Sequence, residues 1–202
     1  LLELINDILD FSKIESGHLD VEQVPFEITH CVEDAMDLVA PRAAEKGLNF
    51  TMALAPDLPQ YVSADSGKLN QVLINLIANA IKFTDPGGVV RVSAREVQGN
   101  IELSVADNGI GIAAETLSRI FEMFAQETPA LERSQSGLGI GLSLVKGVVE
   151  LHGGRIEARS DGPMELGDGR KLGVTEFGPE DGHPILWFHG TPGARWQLPP
   201  VA

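Results

Sequence analysis

The chain has 202 residues, 43% of them apolar, with 15 Lys and Arg against 29 Asp and Glu, a formal charge of −14. That length supports one sizeable core, and frequent apolar residues with dispersed charge exclude a disordered chain. The acidity argues against nucleic acid and anionic membrane surfaces as partners. No run of about 18 apolar residues offers a membrane span, and the single cysteine, Cys31, permits neither an internal disulfide nor a cysteine metal cluster.

Leu1, Leu2, Ile5, Ile8, Leu9 and Phe11 recur at helical spacing until Ser16-Gly17. The opening residues read as a helix already under way, which predicts a piece of a longer protein. His18 to Val24 reads as a short strand. Thr29 can cap a second helix with Val32, Met36, Val39 and Ala43 on its apolar stripe, closed by Lys46-Gly47. Leu48, Phe50, Met52 and Leu54 alternate as in a half-buried strand. Residues 55–65 form a connection, and Ser66 starts a third helix with Leu69, Val72, Leu73, Leu76, Ile77 and Ala80 inward. After the turn Asp85-Pro86-Gly87-Gly88, Val90, Val92 and Ala94 alternate, then Ile101, Leu103 and Val105, which predicts a hairpin about Gln98-Gly99-Asn100. A short helix near 115–124, a polar stretch over 125–136, a helix over about 138–151 and a strand over 155–160 follow. Helices and strands mix without a βαβ repeat, so the fold class is α+β, a two-layer sandwich.

Three segments carry polar chemistry. On the third helix Asn75, Asn79 and Lys82 stand at i, i+4 and i+7 and share one face. Amide oxygens suit Mg²⁺ and an ammonium suits phosphate, although the same stripe alone also reads as a solvated face. Asp107-Asn108-Gly109-Ile110-Gly111 follows a strand. A carboxylate there can accept from an exocyclic amine while glycines admit a flat ring, although an ordinary turn has this composition too. Gly137-Leu138-Gly139-Ile140-Gly141-Leu142 opens a helix whose free amides attract phosphate. Its spacing is not that of a dinucleotide-binding loop.

In this order the three segments resemble the ATP-binding catalytic domain of sensor histidine kinases, within the Bergerat-fold ATPases. The asparagine stripe resembles the N box, Asp107 to Gly111 the first glycine box, Phe121-Glu122-Met123-Phe124 the phenylalanine box, and Gly137 to Leu142 the second glycine box. The resemblance covers about residues 1–163. It implies that 1–16 end a dimerisation and phosphoacceptor helix and that 17–163 form the ATP-binding domain. It further implies Mg²⁺ on Asn79, with Asn75 beside it, and phosphates on Lys82. Adenine would be read by Asp107, with Gly109 and Gly111 shaping the pocket alongside Phe121 and Phe124. Residues 125–136 would be a lid carrying Arg133, hinged by Gly137, Gly139 and Gly141. Where hydrolysing relatives carry a glutamate, this chain has Asn75, which favours phosphotransfer over hydrolysis.

None of His18, His30, His152, His183 and His189 lies in a segment resembling the family's phosphoacceptor motif. The expected acceptor is therefore a histidine of the dimerisation domain outside this sequence, with a receiver domain of a response regulator next in line. A dimer in the cytoplasm is expected for the intact protein. The alternatives are a docking module that needs no nucleotide and a hydrolysing ATPase of the same fold.

Composition changes after Pro163: both tryptophans and 5 of the 12 prolines lie in the last 39 residues. Residues 1–163 hold 24 acidic and 12 basic side chains, a net of −12. Residues 167–193 resemble the opening of an α/β-hydrolase, with His189-Gly190-Thr191-Pro192-Gly193 like its oxyanion loop and Pro184 to His189 like the preceding strand. No nucleophile elbow follows. A foreign segment over 164–202, poorly ordered, is the expectation.

Overall fold

The computed structural model describes residues 2–123 and 139–160, with side chains from residue 8, and the backbone of three short strands at 164–165, 171–172 and 185–188. Helix α1 spans Leu2–Glu15 and strand β1 Val24–Glu27. Helix α2, Ile28–Glu45, ends where Gly47 takes a φ of +64° and the amides of Gly47 and Leu48 return to Ala44 and Ala43. Strands β2 (Asn49–Leu54) and β3 (Tyr61–Ala64) precede helix α3, Ser66–Phe83. Asp65 caps α3 by accepting from the Lys68 amide at 3.0 Å. Strands β4 (Val89–Val97) and β5 (Asn100–Asp107) form the expected hairpin. Helix α4 is one turn, Ala114–Leu117, and α5 runs Gly141–Leu151. Strands β6 (Arg155–Ile156), β7 (Met164–Glu165), β8 (Lys171–Leu172) and β9 (Ile185–Phe188) complete the order.

The main sheet has the order β2-β4-β5-β9-β6. β4 and β5 are antiparallel, with Val92 opposite Val105 and Ala94 opposite Leu103, so the alternating apolar residues share one face. β2 joins β4 in parallel. α2, α3 and α5 supply the second layer: Ile28, Val32, Leu73, Leu76, Ile77, Leu144 and Val145 are fully buried against Val90, Val92 and Val105. Burying one such side chain contributes about 1.5–3 kcal/mol, so this shared core sets the angle of α3 and α5 over the sheet. Cys31 lies in the same core.

Several boundaries differ from the sequence reading. The strand expected over 18–24 forms at Val24–Glu27, because it pairs antiparallel with β3, a strand inside the expected connection. α2 begins at Ile28, behind Glu27, and Thr29 is inside the helix. The helix near 115–124 is a single turn, and regular pairing of the strand over 155–160 stops at Ile156. The boundary expected after Pro163 does not coincide with the edge of the sheet. Ile185–Phe188 lies between β5 and β6, parallel to both, with Leu103 opposite Leu186. Residues 161–163 and 166–170 lie outside the described residues, as do 173–184 and 189–202.

Candidate functional site

The C-terminal turn of α3 is the centre of the site. Three of its last four carbonyls would lack partners in an isolated helix with only the cap amide returning. Here Ala80 accepts from the Thr84 amide at 3.0 Å and from the Thr84 hydroxyl at 2.6 Å. Ile81 and Lys82 accept from the Lys46 ammonium at 2.7 and 2.8 Å. Phe83 accepts from the Ile110 amide at 3.1 Å, which ties the loop after β5 to the helix end.

Asp107 ends β5 beside this turn. Its carboxylate accepts from the Gly109 amide at 2.8 Å, and the Thr84 hydroxyl is its second hydrogen-bond partner. Burial holds the Asp107 carboxyl up at about 6, only partly offset by the Gly109 amide and by the Thr84 hydroxyl, whose single proton is divided between Asp107 and the Ala80 carbonyl. Gly109 has no room for a side chain: a Cβ would stand 2.4 Å from the Phe83 carbonyl oxygen. Gly111 needs its φ of +70°. The loop is held at its far end by the Ser160 hydroxyl, which accepts from the Ile112 amide at 2.9 Å.

Along α3, Asn75 and Asn79 are half-buried and Lys82 is exposed. The Lys82 ammonium lies 4.9 Å from the Phe83 ring centroid. A Cβ on Gly141 would lie 3.6 Å from the Asn75 Oδ1, so the start of α5 abuts the asparagine stripe. Gly139, with a φ of +72°, turns the chain into that start. The structure thus brings Asn75 to Gly141 and Asp107 to Gly109. Phe121 is half-buried in the segment after α4. Phe124, Arg133 and Gly137 lie outside the described residues.

Sequence reasoning missed Thr84, Gly88, Ser160 and Lys46. A Cβ on Gly88 would meet Thr84 Cγ2 at 2.4 Å, while Asn108 Oδ1 accepts from the Val89 amide at 2.6 Å. In the sequence Gly88 reads only as part of a turn. The Thr84 side of the site had a signal in the order Lys82-Phe83-Thr84, directly after the asparagine stripe.

Among the described residues, no group of three or more His, Cys, Asp or Glu side chains can hold a metal. Asn75 and Asn79 on α3 offer neutral amide oxygens, hard donors of the class that Mg²⁺ accepts. Among the same residues no helix is long and apolar enough to cross a membrane.

The model of the histidine kinase-, DNA gyrase B- and HSP90-like ATPase family matches residues 64–175, more than half of the chain, and the chain belongs to that family. It is 42% identical over 161 residues to an uncharacterised sensor-like histidine kinase of Rhizobium meliloti, covering 79% of this chain and 30% of that protein. To the signal transduction histidine-protein kinase BarA of Escherichia coli it is 37% identical over 164 residues, 79% of this chain and 18% of that one. The chain therefore spans less than a third of the length of these relatives. The crystal structure of full-length ShkA in complex with AMPPNP is 30% identical, with a TM-score of 0.70 over 96% of this chain and 36% of that one. The fold class and the kinase-type ATP-binding domain expected from the motifs are those of the family.

Proposed function

We propose that this domain binds Mg-ATP and supplies its γ-phosphoryl group to a histidine on a dimerisation domain, from which a receiver domain takes it. The observation that carries the reading is the desolvated Asp107 carboxylate. It faces a loop where Gly109 excludes any side chain, beside a helix bearing Asn75, Asn79 and Lys82. An adenine 6-amino group would donate to Asp107, and the flat ring would lie along Gly109 and Gly111. Lys82 would neutralise phosphate charge, and Gly139 and Gly141 would let the phosphates approach the start of α5. Asn79, with Asn75 beside it, would hold Mg²⁺, which when bound draws charge off the transferring phosphoryl group.

The overall charge of −14 opposes a polyanion, yet exposed charges beyond about 8 Å are screened at physiological salt. Lys82 and the amides at the start of α5 are the local attractants in the described site, and Arg133 would join them. Asn75 offers no carboxylate to activate water, which favours transfer over hydrolysis. The intact motif order disfavours a docking module without nucleotide. We place the domain in the cytoplasm and the parent protein in a dimer.

The test is base selectivity in a fluorescence titration of Mg-ATP and Mg-GTP. A 6-oxo group would face the Asp107 carboxylate lone pair to lone pair, so ATP should bind at least about tenfold more tightly. Equal binding of both, or of neither, would contradict the assignment.

A further inference from the structure

Lys46 is absorbed by none of the motifs, yet its side chain reaches the end of the site helix. It stands at the C-cap of α2, where its own amide returns to Arg42. From there the ammonium crosses to the last turn of α3 and donates to the carbonyls of Ile81 and Lys82 at 2.7 and 2.8 Å. The next residues hold the same junction through the backbone, since the Asn49 amide donates to the Gly88 carbonyl at 2.8 Å. Gly88 in turn packs on Thr84, and Thr84 on Asp107.

Three contributions favour the contact and one opposes it. The positive charge lies at the negative end of the α3 dipole, and both hydrogen bonds are charge-assisted. Burial opposes it and lowers the affinity of Lys46 for its proton, while nearby Asp85 favours the charged form. A helix end exposed to water needs no such donor, because solvent satisfies its carbonyls. What the ammonium adds is position, since it fixes the two carbonyls flanking the Lys82 side chain.

We infer that Lys46 is a positioning residue of the nucleotide site: by pinning the Ile81 and Lys82 carbonyls it holds Lys82 and Thr84 where ATP requires them. The inference rests on the proposed Mg-ATP reading and adds to it a residue outside every nucleotide motif. Without Lys46 the last turn of α3 can fray, and the energy needed to re-form it is taken from nucleotide binding.

The test is a Kd measurement for Mg-ATP on the full 202-residue chain, at a temperature well below each variant's thermal transition. Lys46→Met should weaken binding about tenfold, and Lys46→Arg, which keeps charge and two donors, should stay within about threefold of wild type. A role in global stability alone would lower the transition temperature and leave the Kd of the folded variant unchanged. In a Lys82→Ala background the Lys46→Met effect should shrink below about threefold, because the two residues act through one helix turn. Lys46→Gln, which keeps a neutral donor, replaces Lys46→Met if the latter does not fold, and should weaken binding by an intermediate factor. An unchanged Kd in Lys46→Met or its replacement, or fully additive losses with Lys82→Ala, would overturn the inference. Failure of the wild-type chain to bind Mg-ATP would instead refute the nucleotide reading on which it rests.

Discussion

The Gly109 Cα lies so close to the Phe83 carbonyl that an added Cβ would come within 2.4 Å of its oxygen. The loop that carries Asp107 is thereby seated on the end of the helix that carries Lys82. The neighbouring Ile110 amide completes the seat with a 3.1 Å bond to the same carbonyl.

Gly109→Ala should therefore cost both stability and binding. Backbone faces backbone at this point, so neither side can yield cheaply, and overpacking of this kind costs about 1–3 kcal/mol. Urea unfolding should show that loss, and calorimetry should show Mg-ATP affinity reduced at least tenfold. Gly99→Ala, at an open hairpin turn where only its φ of +83° is strained, should lose stability without losing affinity.

Asp107 gives stability and binding opposite pH dependences. Its carboxyl titrates near 6 in the fold against 3.8 in the reference state, so the native chain holds more protons between those values. This contribution to stability is complete below about pH 4 and is lost as pH rises through about 6, a cost of about 3 kcal/mol at neutral pH. In the proposed site adenine donates to the ionised carboxylate, so Mg-ATP affinity should instead fall as pH drops below about 6. Denaturation and titration series from pH 5 to 8 should slope in opposite senses for this group, and the affinity slope should vanish in Asp107→Asn.

Gly147 on α5 faces Ile14 of α1, and a Cβ there would meet Ile14 Cγ2 at 2.8 Å. The Lys68–Asp10 ion pair, at 2.7 Å and largely shielded from solvent, joins the same helix to α3. Gly147→Val should displace α1 while leaving the core of the ATP-binding domain intact. Faster proteolysis near residues 15–20 with unchanged Mg-ATP affinity is the expected outcome. Loss of affinity together with α1 docking would show that the two are coupled.

His152 links the end of α5 to the start of α3. One ring nitrogen, Nε2, accepts from the Asp65 amide at 3.2 Å, and Nδ1 lies 2.8 Å from the Val148 carbonyl, to which it must donate. The neutral ring with its proton on Nδ1 meets both demands. His152→Leu should cost about 1–2 kcal/mol in chemical denaturation by leaving a part-buried amide unpaired. Nucleotide affinity, which the proposed site sets nearer the opposite end of α3, should not change.

The sequence made the sheet and the motifs legible where one local pattern decided them. Val90, Val92 and Ala94 against Leu103 and Val105 alternate because one face is buried, and the structure pairs them in that register. The stripe of Asn75, Asn79 and Lys82 needed only the helical period. β3 escaped and β1 was displaced because each exists only as the other's partner, and Pro25 and the exposed Tyr61 mask any alternation. Lys46 read as a helix stop, since nothing local reveals that its ammonium crosses to a helix that begins 20 residues later. The place of Ile185–Phe188 between β5 and β6 is a long-range pairing that no local pattern specifies.

Calorimetric titration of wild type and Asp107→Asn with Mg-ATP is the sharpest check on the proposed role of Asp107 as the nucleotide's anchor. Asparagine keeps the shape and removes the buried charge, so the variant should melt at a higher temperature while binding Mg-ATP at least about a hundredfold more weakly. A variant that binds Mg-ATP as tightly as wild type would remove Asp107 from the nucleotide site.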